Sequence, residues 1–179
     1  SIYEKLITAG AKDCLKNLTV CAETYGLFVF QREDDEFKSL EKSFLNLDRI
    51  QGAPAYLLLL HLVEKRQQLD LDLEILKRIC DLLVSFFVRR NLTDTPPTRD
   101  LTRLFMIIIS GLGDAKGLAV FDLIRNEIIK VSASDETFVE KLMGPIYAEN
   151  SGVTRFLLCT LAEDKMTKET QVDLWRYDG

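Results

Sequence analysis

Two successive arginines, Arg89 and Arg90, close a long apolar run, and two more follow at Arg99 and Arg103. A guanidinium stays charged and presents a rigid fork of donors that matches carboxylates, carbonyls and phosphates. Arg89 continues a polar line from Asp81 and Ser85, so its head can reach solvent. Arg90 lies three residues beyond Phe87 and seven beyond Leu83, so it projects from the apolar side. Buried there, it needs acceptors, because an unpaired charge in an apolar setting is costly. One reading makes Arg90 a clamp on the loop Asn91–Asp100, with Asp94 or Asp100 as ion-pair partner and the helix end favouring the cation. The other gathers Arg89, Arg90, Arg99 and Arg103 into a basic patch that meets a neighbouring domain or a phosphate backbone.

Other residues capable of chemistry are sparse. His61, the single histidine, shares a helical line with Glu64, Lys65 and Gln68, which places it on a solvated or half-exposed face. The run Gly111-Leu-Gly113-Asp-Ala-Lys116-Gly117 lacks the G-x-x-x-x-G-K-[ST] spacing of a phosphate-binding loop, and a helix precedes it where a strand should stand. It reads as a helix exit and an interhelical turn. Asp70 and Asp72, and Glu33 through Glu36, lack the convergent third ligand of a metal site and read as caps and solvated faces. Cys14, Cys21, Cys80 and Cys159 form no CxxC pair and read as buried, reduced thiols of a cytoplasmic protein. The sequence therefore assigns no catalytic, cofactor-binding or metal-ligating residue.

The element that must position the arginines is Asp70–Asn91. Leu73, Ile75, Leu76, Ile79, Cys80, Leu82, Leu83, Val84, Phe86, Phe87 and Val88 cover most of a helical circumference. Only Glu74, Lys77, Arg78, Asp81, Ser85 and Arg89 leave a polar line, so this helix belongs in the middle of a bundle. Asp70 or Asp72 caps it.

Around it, a first helix runs from Ile2 to about Phe30 with a break near Gly10, and Ile7, Ala11, Cys14, Leu18, Cys21 and Tyr25 form its apolar line. Phe37, Leu40, Phe44 and Leu47 mark a second helix ending before Gly52. A third starts near Pro54 and runs to about Gln67. Pro96 and Pro97 break the chain after the central helix. Thr98 caps a fifth helix to Leu112, in which Leu101, Leu104, Phe105, Ile107, Ile108, Ile109 and Leu112 leave little polar surface. A sixth carries Phe121, Ile124, Ile128 and Val131. Ser132 or Ser134 caps a seventh that ends at Gly144-Pro145. Ser151 opens an eighth with Val153, Phe156, Leu157 and Leu161, and Thr167 caps a last turn holding Val172 and Trp175. Strand-like alternation is missing throughout. The fold class expected is all-α, an irregular bundle of seven to nine helices around a central buried helix. It forms one domain over residues 1–179, with N-terminal helices at 1–52, core helices at 53–133 and C-terminal helices at 134–179.

The 179 residues are 47% hydrophobic and carry a net charge of −5, the balance of a folded chain that does not bind nucleic acid indiscriminately. An apolar run such as Ala55–Leu60, matched in length by Leu104–Ile109 and exceeded by none, is far short of the roughly 20 residues of a membrane span. Both ends read as cuts in a longer protein.

Phe87-Val-Arg89-Arg90-Asn-Leu92, the Thr/Pro loop after it and Leu101-Thr-Arg-Leu-Phe105 resemble the helical middle region of GmrSD-type restriction endonucleases. Ala55-Tyr-Leu-Leu-Leu-Leu60 is similar to that family's leucine-rich helix. Thr154-Arg155-Phe156-Leu157-Leu158 with Asp173-Leu-Trp175 is similar to the segment leading into its nuclease domain. The likeness spans about Leu47 to Trp175. It implies a bacterial phage-defence parent that cleaves modified DNA with NTP and a divalent metal. The family's Asp-Gly-Gln-Gln-Arg-like and Glu-His-Ile motifs do not occur in this sequence, so the resemblance implies that catalytic residues and cofactors belong to other domains. This chain would then be a helical connector whose partners are the neighbouring domains, with DNA reached through the parent and no membrane involved. The alternative is a free-standing helical protein-interaction module. A small all-α enzyme is the weakest reading, because acid/base constellations are missing.

Overall fold

A computed structural model describes residues 10–29, 35–167, 169 and 172–176. Among these residues there are nine α-helices and no strand. They are α1 (Ala11–Val29), α2 (Glu41–Arg49), α3 (Tyr56–Glu64), α4 (Leu73–Thr93), α5 (Thr98–Gly111), α6 (Leu118–Val131), α7 (Asp135–Leu142), α8 (Ile146–Glu149) and α9 (Ser151–Lys165). Single 3-10 turns at Lys38–Leu40 and Ala53–Ala55 lead into α2 and α3. The all-α bundle expected from the periodicity is the fold observed. The expected segments Ile2–Ala9, Phe30–Asp34 and Tyr177–Gly179 lie outside the described residues.

The central helix is α4. Its start is fixed by Asp72, whose Oδ1 accepts the amide of Ile75 at 2.7 Å, satisfying one of the free N–H groups of the first turn. Ile75, Leu76, Ile79, Cys80, Leu83, Phe86 and Phe87 are buried, while Glu74, Arg78, Asp81 and Ser85 face out. The helix packs on α2, α6 and α7, and more lightly on α9. Phe87 stacks on Phe105 of α5 at 6.4 Å between ring centroids, and Phe86 meets the same ring edge-on at 6.5 Å. Leu58, Leu59 and Leu62 of α3 and Phe44 and Leu47 of α2 join this core.

Between α2 and α3 the chain turns at Gly52, whose amide donates to the Leu47 carbonyl at 2.7 Å. A Cβ at Gly52 would lie 2.7 Å from Leu47 Cδ2 and 2.9 Å from the Leu47 carbonyl oxygen, so the turn closes only without a side chain. Gly113 and Gly117 take positive φ values of 50° and 55° in the turn between α5 and α6, as an interhelical turn requires. The Gly117 amide reaches the Leu69 carbonyl at 2.8 Å and ties that turn to the approach to α4.

Several expectations need correction. The apolar line of α1 is not a core face: Ala11, Leu18 and Tyr25 are exposed, and only Gly26 and Phe28 of that helix are buried. Ile107 is half exposed, because α5 buries only Leu101, Leu104, Phe105 and Ile108 within the helix. Thr98 does not cap α5; Pro97 precedes the helix without a side-chain cap, and the Thr98 hydroxyl is used elsewhere. The third helix ends at Glu64 and continues as turns. The seventh helix ends at Leu142, before Gly144-Pro145 as expected, but a short α8 that was not expected follows it, and after Lys165 the described residues hold only turns. Only Cys80 is buried; Cys14, Cys21 and Cys159 are half-buried.

Candidate functional site

The carboxy-terminal end of α4 is where the chemistry-bearing residues collect. Arg89, Arg90 and Asn91 are consecutive, so they leave the helix about 100° apart and point at three different neighbours. Arg89 turns to α7. Its Nη1 donates to the Ala133 carbonyl at 3.0 Å, its Nη2 pairs with Asp135 Oδ1 at 2.5 Å, and the guanidinium lies 4.7 Å from the Phe138 ring centroid. Arg90 turns to the proline loop. Nε donates to the Pro96 carbonyl at 3.0 Å, Nη1 to Asn91 Oδ1 at 2.9 Å and Nη2 to Thr98 Oγ1 at 2.6 Å.

Asn91 accepts Arg90 through its side-chain oxygen and turns its amide nitrogen to the residue after α2. Its Nδ2 donates to the Ile50 carbonyl at 2.7 Å. Its own carbonyl accepts Asn150 Nδ2 at 3.0 Å, and Asn150 Oδ1 accepts the Val153 amide at 3.0 Å. Asn150 thus caps α9 and binds the end of α4 with the two ends of one amide. The helix opens at Ser151 as the sequence indicates, with Asn150 as its cap. Through these contacts the end of α4 is bonded to the segment after α2, the loop before α5, the start of α7 and the start of α9.

The clamp expected of Arg90 is present, but with neutral acceptors instead of Asp94 or Asp100. A helix end supplies such partners without charge, since its last carbonyls and the following loop are otherwise unpaired. Arg89 differs from expectation: it is half-buried and engaged, where a solvated head was foreseen. The four arginines are not gathered into one patch. Arg90 is linked through Thr98 to the first turn of α5, on whose outer face Arg99 and Arg103 stand exposed, while Arg89 faces α7.

Asn91 and Asn150 were missed by the sequence reading. An asparagine at a helix end and another before Ser151 are cap-type residues, a signal that exists but does not reveal which distant carbonyl each will meet.

Beside Arg89 opens a cleft of about 600 Å³ between α4, α6 and α7, lined by Ser85, Phe86, Ile128, Ser132 and Asp135 among others. A second cluster holds the carboxy-terminal segment. The Arg49 guanidinium stacks 3.7 Å from the Trp175 ring centroid, Phe156 lies 5.8 Å away, and the indole Nε1 donates to Glu163. Burial lowers the Arg49 pKa from its ordinary value, and Glu163 and Asp173 oppose that shift. Arg155 Nη2 donates to the Leu174 and Trp175 carbonyls at 3.2 and 3.1 Å. These contacts hold backbone and rings in place; they are bonds of a scaffold.

His61 is half-buried on α3 beside exposed Glu64. Among the described residues no three His, Cys, Asp or Glu side chains converge as a metal site requires. No helix among them is long and apolar enough to cross a membrane. No protein-family model, curated protein or solved structure matches this chain. The fold and the site define an all-α multi-helix domain tied together at the end of its central helix.

Proposed function

We propose that this chain is a non-catalytic helical connector, the scaffold region of a GmrSD-like restriction endonuclease acting on modified phage DNA in the bacterial cytoplasm. The observation that carries the reading is the use of Arg89-Arg90-Asn91 to bond the end of α4 to four other parts of the chain. Arg89, Arg90 and Asn91, which belong to the resemblance, are also residues that tie parts of this domain together, as a connector requires. In this reading NTP and the divalent metal are held by neighbouring domains. Arg99 and Arg103, which stand exposed one turn apart, are the residues of the four arginines free to meet a neighbouring domain or a phosphate.

The test is incubation of this chain with modified and unmodified plasmid, Mg²⁺ or Mn²⁺ and NTPs. No cleavage and no nucleotide turnover is expected. Activity that survives repurification and disappears on mutating a residue of this chain would overturn the reading.

A second reading, a free-standing helical interaction module, is favoured by Met143, Tyr147, Leu158 and Leu161, apolar residues left 62–85% exposed at the carboxy-terminal end of the fold. Motifs of the nucleotide-using and nuclease domains flanking this region in its gene would favour the connector; their absence would favour the module.

A further inference from the structure

We propose that the groove between α2 and α9 is a receptor for a tryptophan-bearing turn. Asp173–Trp175 fills it as an intramolecular ligand, and the groove takes the same turn from a separate chain once its own is removed. The receptor side is built from regular elements. Arg155, Cys159 and Glu163 stand four residues apart and so line one face of α9, with Phe156 beside them. Arg49 meets them from the last turn of α2. Lys42 of α2 lies 3.5 Å from Glu163 and holds that carboxylate across the groove.

The occupant is read by its backbone and one ring. Arg155 Nη2 donates to the carbonyls of Leu174 and Trp175, and the Cys159 thiol lies 3.6 Å from the Leu174 oxygen. The indole takes the Arg49 cation 3.7 Å from its centroid, the best cation–π pairing a natural side chain offers, and donates its N–H to Glu163. Two observations make this occupant separable. Asp173 Oδ1 accepts the Trp175 amide at 3.0 Å, so the turn is closed by its own side chain and brings its shape with it. Among the described residues after Lys165 none is buried; Asp173 is exposed, and Leu174 and Trp175 are half-buried. The segment can therefore leave without opening the core. A short tether supplies an effective concentration on the order of 1 mM, so a groove that stays filled binds the free turn with a Kd of about 0.1 mM or tighter. This inference does not depend on the connector reading.

The test is fluorescence anisotropy of a fluorescein-labelled peptide of residues 169–176, titrated with the full chain. The full chain carrying Asp173→Ala and Trp175→Ala should bind the peptide saturably, with a Kd of about 0.1 mM or tighter. The natural chain, whose groove is filled, should bind at least tenfold more weakly. Adding Arg49→Ala or Arg155→Ala to the double variant should weaken binding at least tenfold, as should Trp175→Ala in the peptide. Far-UV spectra check that each variant is folded. Trp175 is the only tryptophan, so in the natural chain its emission reports the groove. That emission should shift to the red at a lower urea concentration than the one that removes the helical signal. The proposal is overturned by a double variant that does not fold or that shows no saturable binding at about 1 mM peptide or chain. Equal binding by the natural chain, binding that neither arginine affects, or emission and helical signal lost together would overturn it as well.

Discussion

Asn150 Nδ2 donates to the Asn91 carbonyl at 3.0 Å across a sequence separation of 59 residues, joining the last turn of α4 to the cap of α9. The carbonyl belongs to the final turn of a helix, where no amide further along the helix is placed to donate to it. One side chain therefore satisfies a free acceptor on one helix and a free donor on another. Asn150→Ala removes a cap and strands a part-buried carbonyl, so it should cost about 1–3 kcal/mol in a urea melt. Asn150→Ser, which can still cap, should recover roughly half of the loss. A cost under about 0.5 kcal/mol would mean that the bond does not matter to the fold.

Arg89 and Asp135 form an unequal pair. The carboxylate side is 85% exposed and the guanidinium side 26%. Exposed ion pairs contribute little, while the bond to the Ala133 carbonyl and the contact with Phe138 are shielded by the arginine itself. Asp135→Asn should therefore change stability by less than about 0.5 kcal/mol, whereas Arg89→Ala should cost about 1 kcal/mol. Equal losses in paired denaturant melts would show that the ion pair is the main contact.

Much of this was legible in the sequence. The apolar circumference of α4 left one arrangement open, a central helix, and Glu74, Arg78, Asp81 and Ser85 of its polar line face outward as the spacing requires. Arg90 was placed correctly because its position relative to Leu83 and Phe87 is fixed by helix geometry alone. The apolar line of α1 misled, because spacings of three and four mark one apolar face of a helix without showing that neighbouring elements cover it. Ile107 misled for a related reason: a run of β-branched residues on α5 says nothing of how wide a face its neighbours can cover. The bonds from Asn91 and Asn150 were beyond reach, since nothing local specifies a carbonyl tens of residues away.

Tyr56 gives the fold a dependence on alkaline pH. Its ring is buried between Phe28 and Tyr25, and its hydroxyl is buried without a hydrogen-bond partner among the described residues. Burial first, and the nearby charge of Asp48 second, push its pKa up from 10.0 to about 12. The unfolded chain releases this proton near pH 10 while the folded chain retains it, so stability is full below pH 10 and declines as pH rises toward 12. Tyr56→Phe should be at least as stable as the natural chain at pH 8. Between pH 9.5 and 11.5 it should lose about 1–2 kcal/mol less. Parallel pH profiles of the urea midpoint would contradict the assignment.

The central claim is that the end of α4 is a structural knot and that Arg90 is its clamp. The direct measurement is the equilibrium denaturation of Arg90→Ala. Losing the guanidinium strands the part-buried Pro96 carbonyl and Asn91 Oδ1 and returns the exposed Thr98 hydroxyl to water, so the account predicts a loss of about 1–3 kcal/mol with an unchanged denaturant slope. A loss below about 0.5 kcal/mol would contradict it and return Arg90 to the role of a surface contact for a neighbouring domain or a phosphate.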